Sequence, residues 1–244
     1  MSIDFYISNI SDDKIIGSGF EKKCYDFIDV VLLESRFLTK RMVDSELKKI
    51  SCIKEILDFI DVNSYKIYDY KVFNDKLYIL ENKVKGSSLQ NIDFNFSVND
   101  YIEKLDELDN YNILRKFVSD SFTILNNGLY IDFGKPNNFL FDKENGISFI
   151  DLSVCDSEFD LKYVCFYIFY NLIYTHCDIE NLDNYNIISS YYYSIYDKLC
   201  SIFIELGFKN EMYSMSPNGT IMSFIERKLN NLLKFSNIVE TKKY

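Results

Sequence analysis

At 244 residues the chain is long enough to bury a sizeable core and suits a single domain. A formal net charge of −10 would repel the phosphates of nucleic acids and anionic lipids, which excludes partners of those classes. Six cysteines without a C-x-x-C pair and a lone His176 exclude a zinc site and suggest reduced, mostly buried thiols in a cytosolic setting.

The opening residues MSIDFYISNISDDK lack the basic start and apolar core of a secretory signal. Lys14–Ile16 leads into Gly17-Ser18-Gly19, and Lys22–Asp29 reads as a strand. Glycines at a strand-to-strand turn let backbone N–H groups approach phosphates closely. Arg36–Met42 alternates as a strand would and carries Lys40. An inward-reaching strand lysine needs an anion to offset its desolvation, and nucleotide phosphates supply one; Arg36 and Arg41 are rival cations.

Asp44–Ile60 has Leu47, Ile50, Ile53, Leu57 and Ile60 at helical spacing, which predicts one buried face. Its acids include Glu46 and Glu55. Strands are predicted over Ser64–Phe73 and Lys76–Asn82, joined by the turn pair Asn74-Asp75. The Gly86-Ser87-Ser88 cluster then breaks periodicity and marks a boundary. Beyond it the pattern turns helical: Asp100–Leu108, then Asn112–Asn126, which stops at Asn127-Gly128, a pair that accepts the left-handed conformation.

The most informative stretch runs from Asn126 to Ser153. Two apolar runs, Asn138–Phe141 and Ile147–Ile150, flank DKENG, whose Asn145-Gly146 is a strong hairpin signal. A hairpin of this kind brings Asn138 and Asp151 side by side, with Asp132 close behind. An amide and a carboxylate so placed form the hard oxygen cage that Mg²⁺ takes when it carries a nucleotide's phosphates. After Asp151 helical character returns over Glu158–His176, Ser189–Leu206 and Thr220–Phe235. The apolar Tyr163–Tyr174 is too short for a membrane span and predicts a buried helix.

This stretch resembles the catalytic loop, hairpin and metal loop of the protein-kinase-like superfamily, whose pattern is H-R-D-x-x-x-x-N and then D-F-G. Tyr130-Ile131-Asp132 stands where H-R-D would and Asp151-Leu152-Ser153 where D-F-G would. Within the superfamily the chain looks most like the minimal kinases that bacteria secrete as effectors, of the OspG and NleH type. Leu77–Leu89, LYILENKVKGSSL, is similar to their hinge strand and the Gly-x-x-Leu after it.

The resemblance implies an α+β, two-lobed kinase-like fold. Residues 1–82 would form a small N-lobe with an antiparallel sheet and one helix, and residues 83–244 a mainly helical C-lobe. It implies ATP and Mg²⁺ as cofactors and transfer of the γ-phosphate to Ser or Thr of a protein, in a host cell for an exported effector. Asp132 would orient the attacking hydroxyl. Asn138 or Asn137 would hold metal with Asp151, since Asn137 keeps the family spacing while Asn138 better fits the following strand. Gly17 and Gly19 would cover the phosphates, Lys40 would neutralise them, and Glu55 or Glu46 would hold Lys40. The backbone around Glu81–Lys83 would meet the adenine edge.

Three departures stand out. Lys22 replaces the third glycine of G-x-G-x-x-G, His-Arg is missing before Asp132, and no activation segment follows Asp151. They imply constitutive activity or a switch by an activating partner protein. The Asp…Asn…Asp order and Asp160-Leu161 also resemble small-molecule phosphotransferases of the aminoglycoside or choline kinase kind, and the missing third glycine and His-Arg keep open an inactive pseudokinase that only binds.

Overall fold

In a computed structural model of the chain, the described residues are 2–18, 22–35, 38–89, 103, 105–154, 160–174, 185–208, 223, 225–227 and 229–230. They form a mixed α+β structure with a five-stranded antiparallel sheet. Strands β1 (Ile15–Ser18), β2 (Lys22–Phe27), β3 (Val30–Ser35), β4 (Ile67–Phe73) and β5 (Lys76–Asn82) run in the order β1-β2-β3-β5-β4. The β4–β5 link is the expected Asn74-Asp75, with φ of 49° and 57°; two successive left-handed residues match the twist of the strands they join. The β2–β3 turn instead places Ile28 at φ 66°, a strained position for a β-branched residue.

One expectation is overturned at this point. The strand after β2 is the apolar run Val30–Ser35, not Arg36–Met42. Thr39 sits extended and its hydroxyl accepts from the Met42 N–H, so it caps helix α2 (Lys40–Phe59) and Lys40 becomes the first helical residue. A capping threonine inside an alternating pattern outweighed the alternation.

Side chains alternate across the sheet. On one face Tyr25, Val30, Leu32, Tyr78 and Leu80 pack with Ile3 of the short helix α1 (Ile3–Ser8). On the other, Leu77 and Ile79 join the main core with Ile50, Ile53 and Leu57 of α2. Buried Glu34 accepts from the Tyr25 hydroxyl at 2.8 Å and pairs with Lys76 across the sheet. Burial pushes its carboxyl up, but the two donors more than offset this and its pKa is lowered.

After β6 (Ser87–Ser88), helix α3 (Tyr111–Asn126) is capped by Asn110, whose side chain accepts from two backbone N–H groups. It ends at Gly128 with φ 76°, and β7 (Leu129–Tyr130) follows. The hairpin forms from β8 (Phe139–Asp142) and β9 (Gly146–Phe149). Its loop is three residues, with Gly146 left-handed at φ 76° and the Asp142 carboxylate accepting from the Glu144 and Asn145 N–H groups.

Strand β10 (Ser153–Val154) returns antiparallel to β7, pairing Ser153 with Tyr130. Helices α4 (Leu161–Tyr174) and α5 (Tyr185–Glu205) complete the described core, the first buried through Val164, Ile168, Phe169 and Leu172. Among the described residues no helix is long and apolar enough to cross a membrane. Cys24, Cys52, Cys165 and Cys200 are not joined in a disulfide among the described residues.

Candidate functional site

Pairing of β7 with β10 sets the loop 131–138 beside Asp151, and the Ile150 N–H donates to the Asn138 carbonyl at 2.9 Å. Two segments separated by the whole hairpin thereby meet at its base. Ile131 and Phe133 are fully buried, which holds the backbone on either side of Asp132 while its carboxyl stays part-exposed. The amide of buried Asn138 donates to the Asp132 carbonyl at 3.2 Å, and buried Asn171 of α4 donates to the Phe133 carbonyl at 2.8 Å. The Gly134 N–H donates to Asp132 Oδ1 at 3.0 Å.

Above this base lies a cavity of about 770 Å³, within the usual size of ligand pockets. Ile16, Cys24, Val31 and Leu33 from the sheet line one side, and Leu140 and Ile150 from the hairpin face them. Lys22, Lys135 and Asp151 bring charge to the same lining. Lys22 Nζ lies 3.4 Å from Asp151 Oδ1, and Lys135 Nζ lies 3.2 Å from Asp132 Oδ2. The bond to Asp132 and that carboxylate's charge, with a further contribution from Asp151, raise the Lys135 pKa. Asp151 itself has φ 59°, a left-handed backbone that costs a non-glycine residue on the order of 1–3 kcal/mol and persists where the surroundings impose it.

Tyr65, Glu81 and Val84 also line the cavity. Burial pushes the Glu81 carboxyl up to about 8, against the lowering pull of Lys22 and with a raising push from Asp151. Burial also raises the Cys24 thiol and the Tyr65 phenol.

The sequence-predicted residues divide. Asn138 bonds the Asp132 carbonyl through its amide and accepts from the Ile150 N–H next to Asp151, but of these three residues only Asp151 lines the cavity; Gly17 lies on β1 opposite Cys24, next to it. Gly19 lies outside the described residues. Lys40 is exposed at the start of α2 and does not line the cavity, because the cap at Thr39 turned its segment into helix. Glu55 is exposed and accepts from Ser51 at 3.2 Å, while Glu46 pairs with Lys49 at 2.6 Å, so each faces its own helix surface.

Asn137 is exposed and accepts from Ser88 at 3.0 Å, turned toward β6 and away from Asp151. The Asn82 and Lys83 N–H groups are taken by the Lys66 and Asp29 carbonyls, and the Lys83 ammonium pairs with Asp26 at 2.6 Å. Glu81, Asn82 and Lys83 nevertheless line the cavity, together with Val84 and Gly86.

Sequence reasoning passed over Lys135, Tyr65 and Asn171 and read Lys22 only as a lost glycine. The signals were faint: a lysine three positions after Asp132, and a lysine two positions before the pocket-facing Cys24 of the same strand face. No protein-family model matches the chain, and no curated protein matches it.

Proposed function

We propose that the chain is an ATP-dependent phosphotransferase of two-lobed, protein-kinase-like architecture, passing the γ-phosphoryl group to a Ser or Thr hydroxyl of a protein. The observation that carries this reading is a cavity lined by apolar side chains together with Lys22, Lys135 and Asp151, with Asp132 bonded to Lys135. A planar base fits between Ile16, Val31 and Leu140, and a polyphosphate extends toward the two ammonium groups. In such transfers positioning and charge supply the rate, with little covalent work for the protein.

Each side chain then has a task. Lys22 and Lys135 neutralise oxygens of the transferring group from opposite walls. Asp132, accessible and held by Lys135 and the Gly134 N–H, orients the incoming hydroxyl and accepts its proton. Asp151 and Asn138 would hold Mg²⁺. One carboxylate and one amide fit that ion, which binds through few protein oxygens and completes its shell with phosphates and water. Once bound it neutralises phosphate charge. The protein acceptor and delivery into a host cell rest on the likeness of LYILENKVKGSSL and of Asp132, Asn138 and Asp151 in their order to secreted effector kinases.

The test is transfer of labelled γ-phosphate from ATP to a panel of proteins, including the chain itself, and to a panel of amino-sugars and choline. Lys22→Met and Asp151→Asn should each lower transfer by about 10²–10³, the usual cost of losing one charge-stabilising group. Lys40→Met should stay within about twofold of wild type. Equal rates for wild type and Asp151→Asn refute the reading. Transfer confined to the small molecules replaces the protein acceptor.

A further inference from the structure

Lys22 has a carboxylate partner that the reaction would take away. Asp151 Oδ1 lies 3.4 Å from its ammonium, yet Asp151 is the residue placed to hold the metal. A lysine that serves a phosphate must be held by something else once that carboxylate turns to a cation. In the resemblance this partner is a glutamate on the helix beside the sheet. Here α2 offers none: Glu55 is exposed and bonded to Ser51, Glu46 is tied to Lys49, and neither lines the cavity.

One acid besides Asp151 does line it. Glu81 stands on β5 on the cavity face of the sheet, in the same alternating register as Leu77 and Ile79. Its cross-strand neighbours are Val31 of β3 and Ile67 of β4, so its flanks are apolar. Lys22 and Asp151 are the two charges that its ionisation responds to. A carboxyl in a cavity lined by apolar side chains is costly unless it gains a counter-ion.

Resting on the phosphotransferase reading, we propose that Glu81 is the positioning residue for Lys22: when Asp151 engages the metal, Lys22 exchanges its Asp151 contact for Glu81 and is held there against the phosphates. The lysine and its acid partner would then both come from the sheet, Lys22 from β2 and Glu81 from β5. The arrangement removes α2 from the ion-pair network and leaves it a packing role through Ile50, Ile53 and Leu57. It also accounts for a glutamate that lines the cavity next to Val31, its cross-strand neighbour.

A double-mutant cycle on the full chain tests this, with wild type, Glu81→Gln, Lys22→Met and the double variant. Mg·ATP affinity is measured by calorimetry, and kcat and KM wherever transfer is detected. Glu81→Gln keeps the shape of the side chain, and Glu81→Asp serves as the conservative rescue. Coupled positioning predicts that Glu81→Gln lowers kcat by roughly tenfold with less than about threefold change in KM and in Mg·ATP affinity. The same change made in Lys22→Met should cost nothing further, and Glu81→Asp should recover part of the loss.

An equal loss in both backgrounds would overturn the inference, since Glu81 would then be acting on the base or on the fold. So would no loss at all, or a change confined to ATP-over-GTP preference. Failure of wild type to bind Mg·ATP, or binding without transfer, would bring down the phosphotransferase reading and the inference with it, whereas transfer with independent losses brings down the inference alone.

Discussion

Gly86 ties the sheet to the hairpin, and replacing it by alanine separates two effects. Its φ is +121°, outside the region that L side chains adopt, and an added Cβ would lie 2.5 Å from the Phe141 carbonyl oxygen and 2.8 Å from its carbon. Those atoms belong to β8, paired with β6 one residue beyond Gly86, so the obstacle is backbone that cannot swing aside. Gly86→Ala therefore incurs both backbone strain and overpacking, together roughly 3–5 kcal/mol.

Gly128→Ala is the internal control, because its φ is +76° but nothing lies within 4 Å of the added Cβ. Strain alone there should cost about 1 kcal/mol. In a domain of this size each kcal/mol moves the midpoint by about 2–4 °C. Calorimetric unfolding should therefore show Gly86→Ala lowered by about 10 °C and Gly128→Ala by about 3 °C. Because Gly86 also lines the cavity, the weakened β6–β8 pairing should lower nucleotide affinity as well. Equal midpoints for the two variants would refute the steric account and show that the 83–88 segment shifts freely.

Two further outcomes follow from groups outside the phosphate end. Glu34 has a lowered pKa in the fold, so its contribution to stability is present above its unfolded value near 4.5 and is lost as pH falls through the lower folded value. Urea midpoints should decline on acidification, and Glu34→Gln should flatten that decline while costing stability at neutral pH. The raised pKa of Lys76 acts oppositely, its contribution fading only as pH climbs through the folded value above 10.5. Asn171→Ala strips the Phe133 carbonyl of its buried donor and should cost about 1–3 kcal/mol by urea unfolding. It should also lower kcat, since Asp132 is adjacent; unchanged kcat would show that the loop needs no anchor from α4.

Local chemistry wrote much of the secondary structure into the sequence. Lys76–Asn82 matches its expected strand, Asn74-Asp75 makes its turn, and the helix expected over Asn112–Asn126 begins one residue earlier, at Tyr111. The hairpin, and the hydrogen bonds that join Asp132, Asn138 and Ile150 at its base, were legible because a tight hairpin fixes which residues become neighbours regardless of what packs around it. Those features depend on caps, turns and periodicity within a dozen residues, which is the range over which sequence acts directly.

Which charges reach the cavity was decided elsewhere. Lys22 and Lys40 look alike in sequence, yet a threonine cap sends one onto a helix surface while strand alternation turns the other toward Asp151. Glu55 and Glu81 differ in the same way: one faces outward from α2, the other lines a cavity that exists only once the hairpin lies across the sheet. Asn171 is separated from Phe133 by 38 positions, and no local rule couples them. A side chain's secondary structure follows from its neighbours in the chain. Its electrostatic partners follow from which surfaces pack together, and only the tertiary structure sets that.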